Sequence, residues 1–475
     1  MRPGVVACLA VAVLLAAACR TAAPAAGAPT PIQGSADDAI ARLPAYHGEM
    51  VSAPVFGGEV FVMEVGEPSA PTVVLVHGLG ENGCRDFNPL LPALASRYHV
   101  VAFDLPGFGR STHANELYSP ARYAEFMHAL LGQRVRGPFD LVGHSMGGVL
   151  ALVYAAGFPA EVRRLLLLDV AGVLHRKAYV NFAAFAGLDN LLGVLSKPVK
   201  DIATVAEEST ETAVGPVLPG TPDPSVVLQN GVLRGTVLGT PMRIAALAVI
   251  LENLAPVIAG VRAPSWILWG SNDAVASPRT GLILQARLPA AQLTVLEGSG
   301  HDPMATRPAA VEKFLLDALA SPTVAPAARA APPFPTLPGR KGRCEKQDGV
   351  RFSGDYAEIE MVGCREVVVR DVRTASLRIR DSYALVENTR VVSQGTALEV
   401  KGSRVELTAS DFAGKVALEV EGSDLDLAGV DLRGQRASLH VGGASKLIFS
   451  VSHAESPINS RYLHGVYEFD IGAEL

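Results

Sequence analysis

The hexapeptide Gly143-His144-Ser145-Met146-Gly147-Gly148 sets a serine among small residues, after the apolar run 139–142 and before a helix-forming run over 149–156. A serine between a strand and a helix is held above the edge of a sheet. There the helix dipole favours a developing negative charge. Such a group can attack a carbonyl, but a serine hydroxyl is a poor nucleophile at neutral pH and needs a base. His301, in Gly298-Ser-Gly-His301-Asp-Pro, can take the proton. Asp273, in Trp269-Gly-Ser-Asn-Asp273, can fix the imidazole tautomer and stabilise its charged form. Asp273 lies 128 residues after Ser145, and His301 a further 28.

Each candidate has a rival. Asp169 also ends an apolar run and could orient the base, but Trp-Gly-Ser-Asn-Asp273 fits an acid-bearing loop better. His113, His128 and His175 belong to no strand-end motif and read as surface or packing residues. Cys84 reads as a small buried residue rather than a reactive thiol. No CxxC or HExxH spacing offers a metal site, and no cofactor is implied.

The order Ser145, Asp273, His301, together with His77-Gly78-Leu79-Gly80 and Asp104-Leu-Pro-Gly107-Phe-Gly109-Arg-Ser111, resembles the α/β-hydrolase family of esterases and lipases over residues 55–319. The resemblance implies Ser145, His301 and Asp273 as a catalytic triad. It also implies an oxyanion hole made by the backbone amides of Leu79 and Met146. His77 and His144 would then be structural, and Asp104 would stabilise a turn. A serine in the elbow argues against the family members that use aspartate there. The implied reaction is cleavage of a carboxylic ester, from a small molecule or a lipid, through an acyl-enzyme.

The elements that must position these residues follow the same plan. Apolar runs at 72–76, 100–103, 139–142, 165–168, 266–269 and 293–296 each end in a turn signal, with helical stretches such as 118–131 between them. Fully apolar strands require a parallel sheet covered on both faces, so the expected fold is a doubly wound, mostly parallel α/β domain over residues 46–320. A long Ala-, Leu- and Val-rich section over about 175–260 interrupts the alternation where a helical cap could cover the sheet's carboxyl edge. Such a cap favours a hydrophobic acyl group.

The N-terminus reads as an address. Arg2 precedes an uncharged run over 5–18, too short to span a core of roughly 30 Å but suited to a signal peptide over 1–18. Its ending, Leu15-Ala16-Ala17-Ala18-Cys19, resembles a bacterial lipobox. That resemblance implies lipidation of Cys19 and membrane attachment through the lipid, with Arg20 pointing to the outer membrane. Ordinary cleavage after Ala16-Ala17-Ala18 is the alternative. Residues 19–45 would form a flexible tether.

After a Pro- and Ala-rich linker over 321–340, alternating strands dominate residues 341–475 and repeat, with starts at Tyr356, Ser376, Ala397, Ala417 and Ser438. This 20- to 21-residue period resembles the coils of a parallel β-helix, a second, all-β domain. Cys344 and Cys364 are 20 residues apart. One repeat would stack them on adjacent coils at about 4.8 Å, within reach of a disulfide. This domain could hold a glycan or protein partner, and an envelope binding protein with a vestigial hydrolase domain is the alternative to an enzyme. Hydrophobic residues make up 49% of the 475, which excludes a disordered chain, and 41 Lys and Arg against 47 Asp and Glu give a charge of −6. Without a basic excess, nucleic acid is not an expected partner.

Overall fold

The computed structural model of the protein describes residues 33–179, 224–322, 337, 339–470 and 472–475. The expected signal peptide, Cys19, most of the tether, cap residues 180–223 and most of the linker lie outside these.

The first domain holds an eight-stranded sheet in the order β1-β2-β4-β3-β5-β6-β7-β8. Its strands are β1 (His47–Ser52), β2 (Glu59–Val65), β3 (Thr72–Val76), β4 (His99–Phe103), β5 (Phe139–His144), β6 (Val162–Leu168), β7 (Ser265–Gly270) and β8 (Gln292–Leu296). From β4 onward in that order every pairing is parallel. Strands β3, β4 and β5 are buried almost throughout, because helices cover both faces. The antiparallel strands β1 and β2 were not visible as apolar runs, since β1 (His-Gly-Glu-Met-Val-Ser) is half polar and lies at the edge.

One expectation needs correction. Helix α1 (Gln33–Ile40) falls within the stretch read as tether. Ile40 is buried, with Leu43 and Tyr46 packed against the same core as Phe61 and Met63. These spaced apolar side chains draw the chain onto the sheet well before residue 46. Within the described part of the cap, α2 (Pro241–Leu251) is capped by Thr240 and α3 (Leu254–Gly260) by Asn253, and both bury Ala, Leu and Ile side chains against the sheet's helices.

The second domain is built of fifteen short strands that wind in turns of about twenty residues. They begin with β9 (Lys341–Glu345), β10 (Arg351–Tyr356), β11 (Glu358–Val362), β12 (Val367–Thr374), β13 (Leu377–Arg380), β14 (Tyr383–Glu387) and β15 (Arg390–Val392). They continue with β16 (Thr396–Lys401), β17 (Arg404–Thr408), β18 (Asp411–Glu421), β19 (Asp424–Ala428) and β20 (Asp431–Val441). The last are β21 (Ser445–Ser456), β22 (Asn459–Phe469) and β23 (Ala473–Glu474). Three parallel ladders run along the stack. One is β9-β11-β13-β16-β18-β20, the second β12-β14-β17-β19-β21, and the third passes from the end of β12 through β15 to the starts of β18 and β20. Alternate residues such as Ile359, Ile379, Val400, Val420 and Val441 fill the interior.

Two details depart from the expected repeat. The last turn ends in antiparallel pairs, β21 with β22 and β20 with β23, which cover the exposed strand edge at that end. The Cys344–Cys364 disulfide is present, but the two residues are not stacked one above the other. Cys344 pairs in register with Met361, three residues before Cys364, and the Cα atoms are 6.4 Å apart. The first turn is shorter than the repeat period, so the bond crosses a corner.

Candidate active site

The serine elbow is shaped by backbone contact. A Cβ at Gly143 would sit 2.3 Å from the Gly147 carbonyl oxygen, and one at Gly147 would sit 2.1 Å from that of Val76. Only hydrogen fits at either place. Ser145 itself has φ of 53° and ψ of −120°, outside the relaxed regions of an L-residue. It precedes helix α4 (Met146–Gly157), where the Gly148 amide turns back to the Ser145 carbonyl at 3.0 Å and the Met146 and Gly147 amides, at the first two positions, have no intrahelical acceptor.

Three sequence distances close into one chain of hydrogen bonds. His301 Nε2 lies 2.9 Å from Ser145 Oγ, and its Nδ1 lies 2.8 Å from Asp273 Oδ2. The other carboxylate oxygen of Asp273 accepts the amides of Val275 and Ala276, each at 2.8 Å. With one oxygen fixed by the backbone, the second can only face the imidazole. Ser145 and Asp273 are buried. Burial disfavours the charged form of His301, but Asp273, with Asp169 and Asp302 nearby, outweighs it and holds the imidazole above its ordinary value.

The neighbouring loops are tied to this chain. A Cβ on Gly78 would meet the Ser145 side chain at 2.9 Å, so the 77–80 loop lies against the elbow, with Leu79 buried in it and Met146 opening α4. His77 Nε2 accepts the Leu105 amide, so Nδ1 carries the hydrogen and donates to the Gly78 carbonyl. Asp104 accepts from the Cys84 and Arg110 amides and from Arg110 Nε, a turn role as expected. Cys84 is buried; that burial, with Asp104 beside it, pushes its thiol well above its ordinary value, which argues against reactivity.

His144 does more than its motif position implied. Its Nε2 donates to the His301 carbonyl at 2.9 Å, anchoring the His301 backbone from the elbow side. Asp169, the rival acid, follows β6 with φ of 44° and accepts the Gly270 amide at 2.8 Å. Its burial, and the charge of Asp273 beside it, drive its carboxyl pKa well up. Among the described residues no group of three or more His, Cys, Asp or Glu could hold a metal ion.

Known proteins identify the family to which this fold belongs. The sequence profile of the Alpha/beta hydrolase family matches residues 73–314, and the chain belongs to that family. It is similar to an uncharacterized protein of Mycobacterium tuberculosis (strain ATCC 25618 / H37Rv), with 31% identity over 268 residues covering 52% of this chain and 76% of that one. Lipase 1 of Psychrobacter immobilis is 25% identical over 250 residues, covering 52% and 76%. A monoacylglycerol lipase of Xenopus laevis is 27% identical over 281 residues, covering 54% and 77%. Among solved structures, a membrane phospholipase A described as a bacterial virulence factor superposes with a TM-score of 0.44 at 26% identity, covering 61% of this chain and 91% of that one.

Proposed function

We propose that the protein is an exported serine hydrolase that cleaves carboxylic esters with a hydrophobic acyl group. The observation that carries this reading is the unbroken chain from Ser145 Oγ through His301 to Asp273. Ser145 Oγ attacks the ester carbonyl as His301 Nε2 takes its proton. The amides of Leu79 and Met146 receive the oxyanion. His301 returns the proton to the leaving alcohol, and water then hydrolyses the acyl-enzyme by the same steps. Lipase relatives support a lipid or other apolar ester as substrate. The stacked parallel ladders support reading residues 341–475 as a β-helix, a candidate surface for a glycan or protein partner.

Hydrolysis of p-nitrophenyl esters of graded chain length tests the reaction, with fluorophosphonate labelling beside it. Ser145→Ala is expected to abolish both; turnover that survives in this variant would remove the proposed nucleophile. The address motif supports lipidation of Cys19 and anchorage in the cell envelope, on the outer membrane. Cys19→Ser should move the protein from the membrane fraction to the soluble one and abolish labelling by a fatty-acid analogue. Unchanged fractionation and labelling would leave the lipid anchor without support.

A further inference from the structure

The two domains meet along helix α5 (Arg279–Arg287), which starts three residues after the acid loop closes on Asp273. Its residues 279, 283 and 287 lie at four-residue intervals and so share one face. That face lies against the second domain. A Cβ at Gly429 would meet Ile283 at 2.9 Å, and Arg287 pairs with Asp431 at 2.6 Å.

Arg279 makes the most specific contact. It is 9% exposed, and its guanidinium is enclosed by two successive turns of the β domain. Nε donates to Thr408 Oγ1 at 3.0 Å, one terminal nitrogen meets Glu406 and Asp426 at 3.0 Å each, and the other donates to the Leu407 carbonyl at 3.2 Å. Burial opposes its charge, but Asp426 and Glu406 more than compensate. A planar fork matched at each nitrogen fixes orientation as well as distance.

The segment between Asp273 and Arg279 is short and held at both ends. The Ala276 amide binds Asp273 Oδ1, while the Ala276 carbonyl accepts from Trp269 Nε1 at 3.1 Å. Ser277 and Pro278 then enter a helical turn through the bonds Thr280 N to Ser277 O and Gly281 N to Pro278 O. Arg279 thus lies three residues from the Ala276 amide that binds Asp273 Oδ1.

We propose that Arg279 is a positioning residue and that the β domain, by gripping it, sets the Asp273 loop for catalysis. The inference rests on the triad reading above.

The test uses the full chain and alters only the β-domain side, in the double variant Glu406→Gln/Asp426→Asn. Arg279→Lys, which keeps the charge but loses the fork, is the second variant. Arg373→Gln, which breaks an exposed pair with Asp355 elsewhere on the domain, is the control. Near-UV circular dichroism and thermal unfolding establish folding, and the lysine variant takes over the test if the double variant fails to fold. The expected result is a fall in kcat of about 10- to 100-fold with KM within about twofold, the scale of a small misplacement at a catalytic group. The pKa of the His301 ring, followed by NMR titration, should fall as Asp273 loosens. Wild-type kcat and an unshifted His301 titration in a folded variant would overturn the inference. Absence of ester turnover and fluorophosphonate labelling in the wild type would instead count against the proposed function, and the NMR titration would still decide the role of Arg279.

Discussion

Two aspartates lie near one histidine, and their surroundings differ. Asp273 is aimed by two backbone amides and by His301, whereas Asp169 receives one amide, at Oδ1, and burial with Asp273 beside it pushes its carboxyl pKa well up. An asparagine at 169 keeps the oxygen that accepts the Gly270 amide and is a close substitute in shape. We therefore expect Asp169→Asn to hold kcat within about tenfold, while Asp273→Asn, by presenting the wrong tautomer of His301, lowers it by about 10⁴-fold. Equal losses in the two would show that they share the orienting role. Because His301 is held above its ordinary value and, in the proposed mechanism, must be neutral to accept the serine proton, the acidic limb of kcat/KM should lie above pH 6.5. Ser145, Asp273 and His301 were legible in the sequence because each follows an apolar strand and sits among small residues. Arg279 was not. An arginine after Ser-Pro reads as the solvated start of a helix, and its partners Thr408 and Asp426 lie 129 and 147 residues away.

The repeat period predicted the turns of the β domain, but it did not show what holds their corners. Ser382, Ser403, Ser423 and Ser445 occupy one corner in successive turns. Ser382 N donates to Ser403 Oγ, Ser403 N to Ser423 Oγ, and Ser423 N to Ser445 Oγ, at 3.0 to 3.3 Å. The hydroxyls of Ser382, Ser403 and Ser423 each donate to the carbonyl two residues before, so buried corner amides and carbonyls are paired. The sequence carries this signal as a serine after Asp381, Gly402, Gly422 and Ala444, near the period of the repeat. It was passed over because corner serines break the apolar alternation that reveals strands. Ser403→Ala leaves the buried Ser382 amide without its acceptor and takes one of two donors from the Lys401 carbonyl, and should lower stability by about 2 kcal/mol in chemical denaturation. The disulfide closes a loop of about twenty residues, and Cys364→Ser should cost about 3 kcal/mol. Both losses belong to the β domain. A serine-to-alanine change without effect would mean that water replaces the ladder.

At the scale of the whole molecule, another contact between the domains carries its own pH dependence. Where the cap begins, the His175 amide donates to Ser450 Oγ on β21, and the His175 ring stands 5.1 Å from that of His464 on β22. Burial, with the charge of His464 and Arg176 nearby, lowers the pKa of His175 to about 3. Burial lowers that of His464 to about 4. Lys177 lies close by, pressed by burial and by Lys446 and partly offset by Glu468, so few negative charges are at hand to receive two imidazolium ions. Both folded values lie below the ordinary value of 6.5, so the unfolded chain binds more protons as pH falls. This contribution to stability is complete above about pH 6.5 and declines toward pH 4, by about 2 kcal/mol per histidine at pH 5. His301 has the opposite sign: its contribution is complete below pH 6.5 and is lost as pH rises through its folded value. The raised carboxyl of Asp169 also favours the folded state as pH falls, so the total slope is a difference of opposed effects. Comparison of the wild type with His464→Gln isolates the interface. The gap in unfolding free energy between the two should shift by about 2 kcal/mol in favour of the variant from pH 7 to pH 5. A constant gap over that range would mean that His464 is protonated without disturbing the contact. Since the same docking places Arg279 in its grip, the expected shift predicts a second effect. Acid should weaken the hold on the Asp273 loop before it unfolds the hydrolase core.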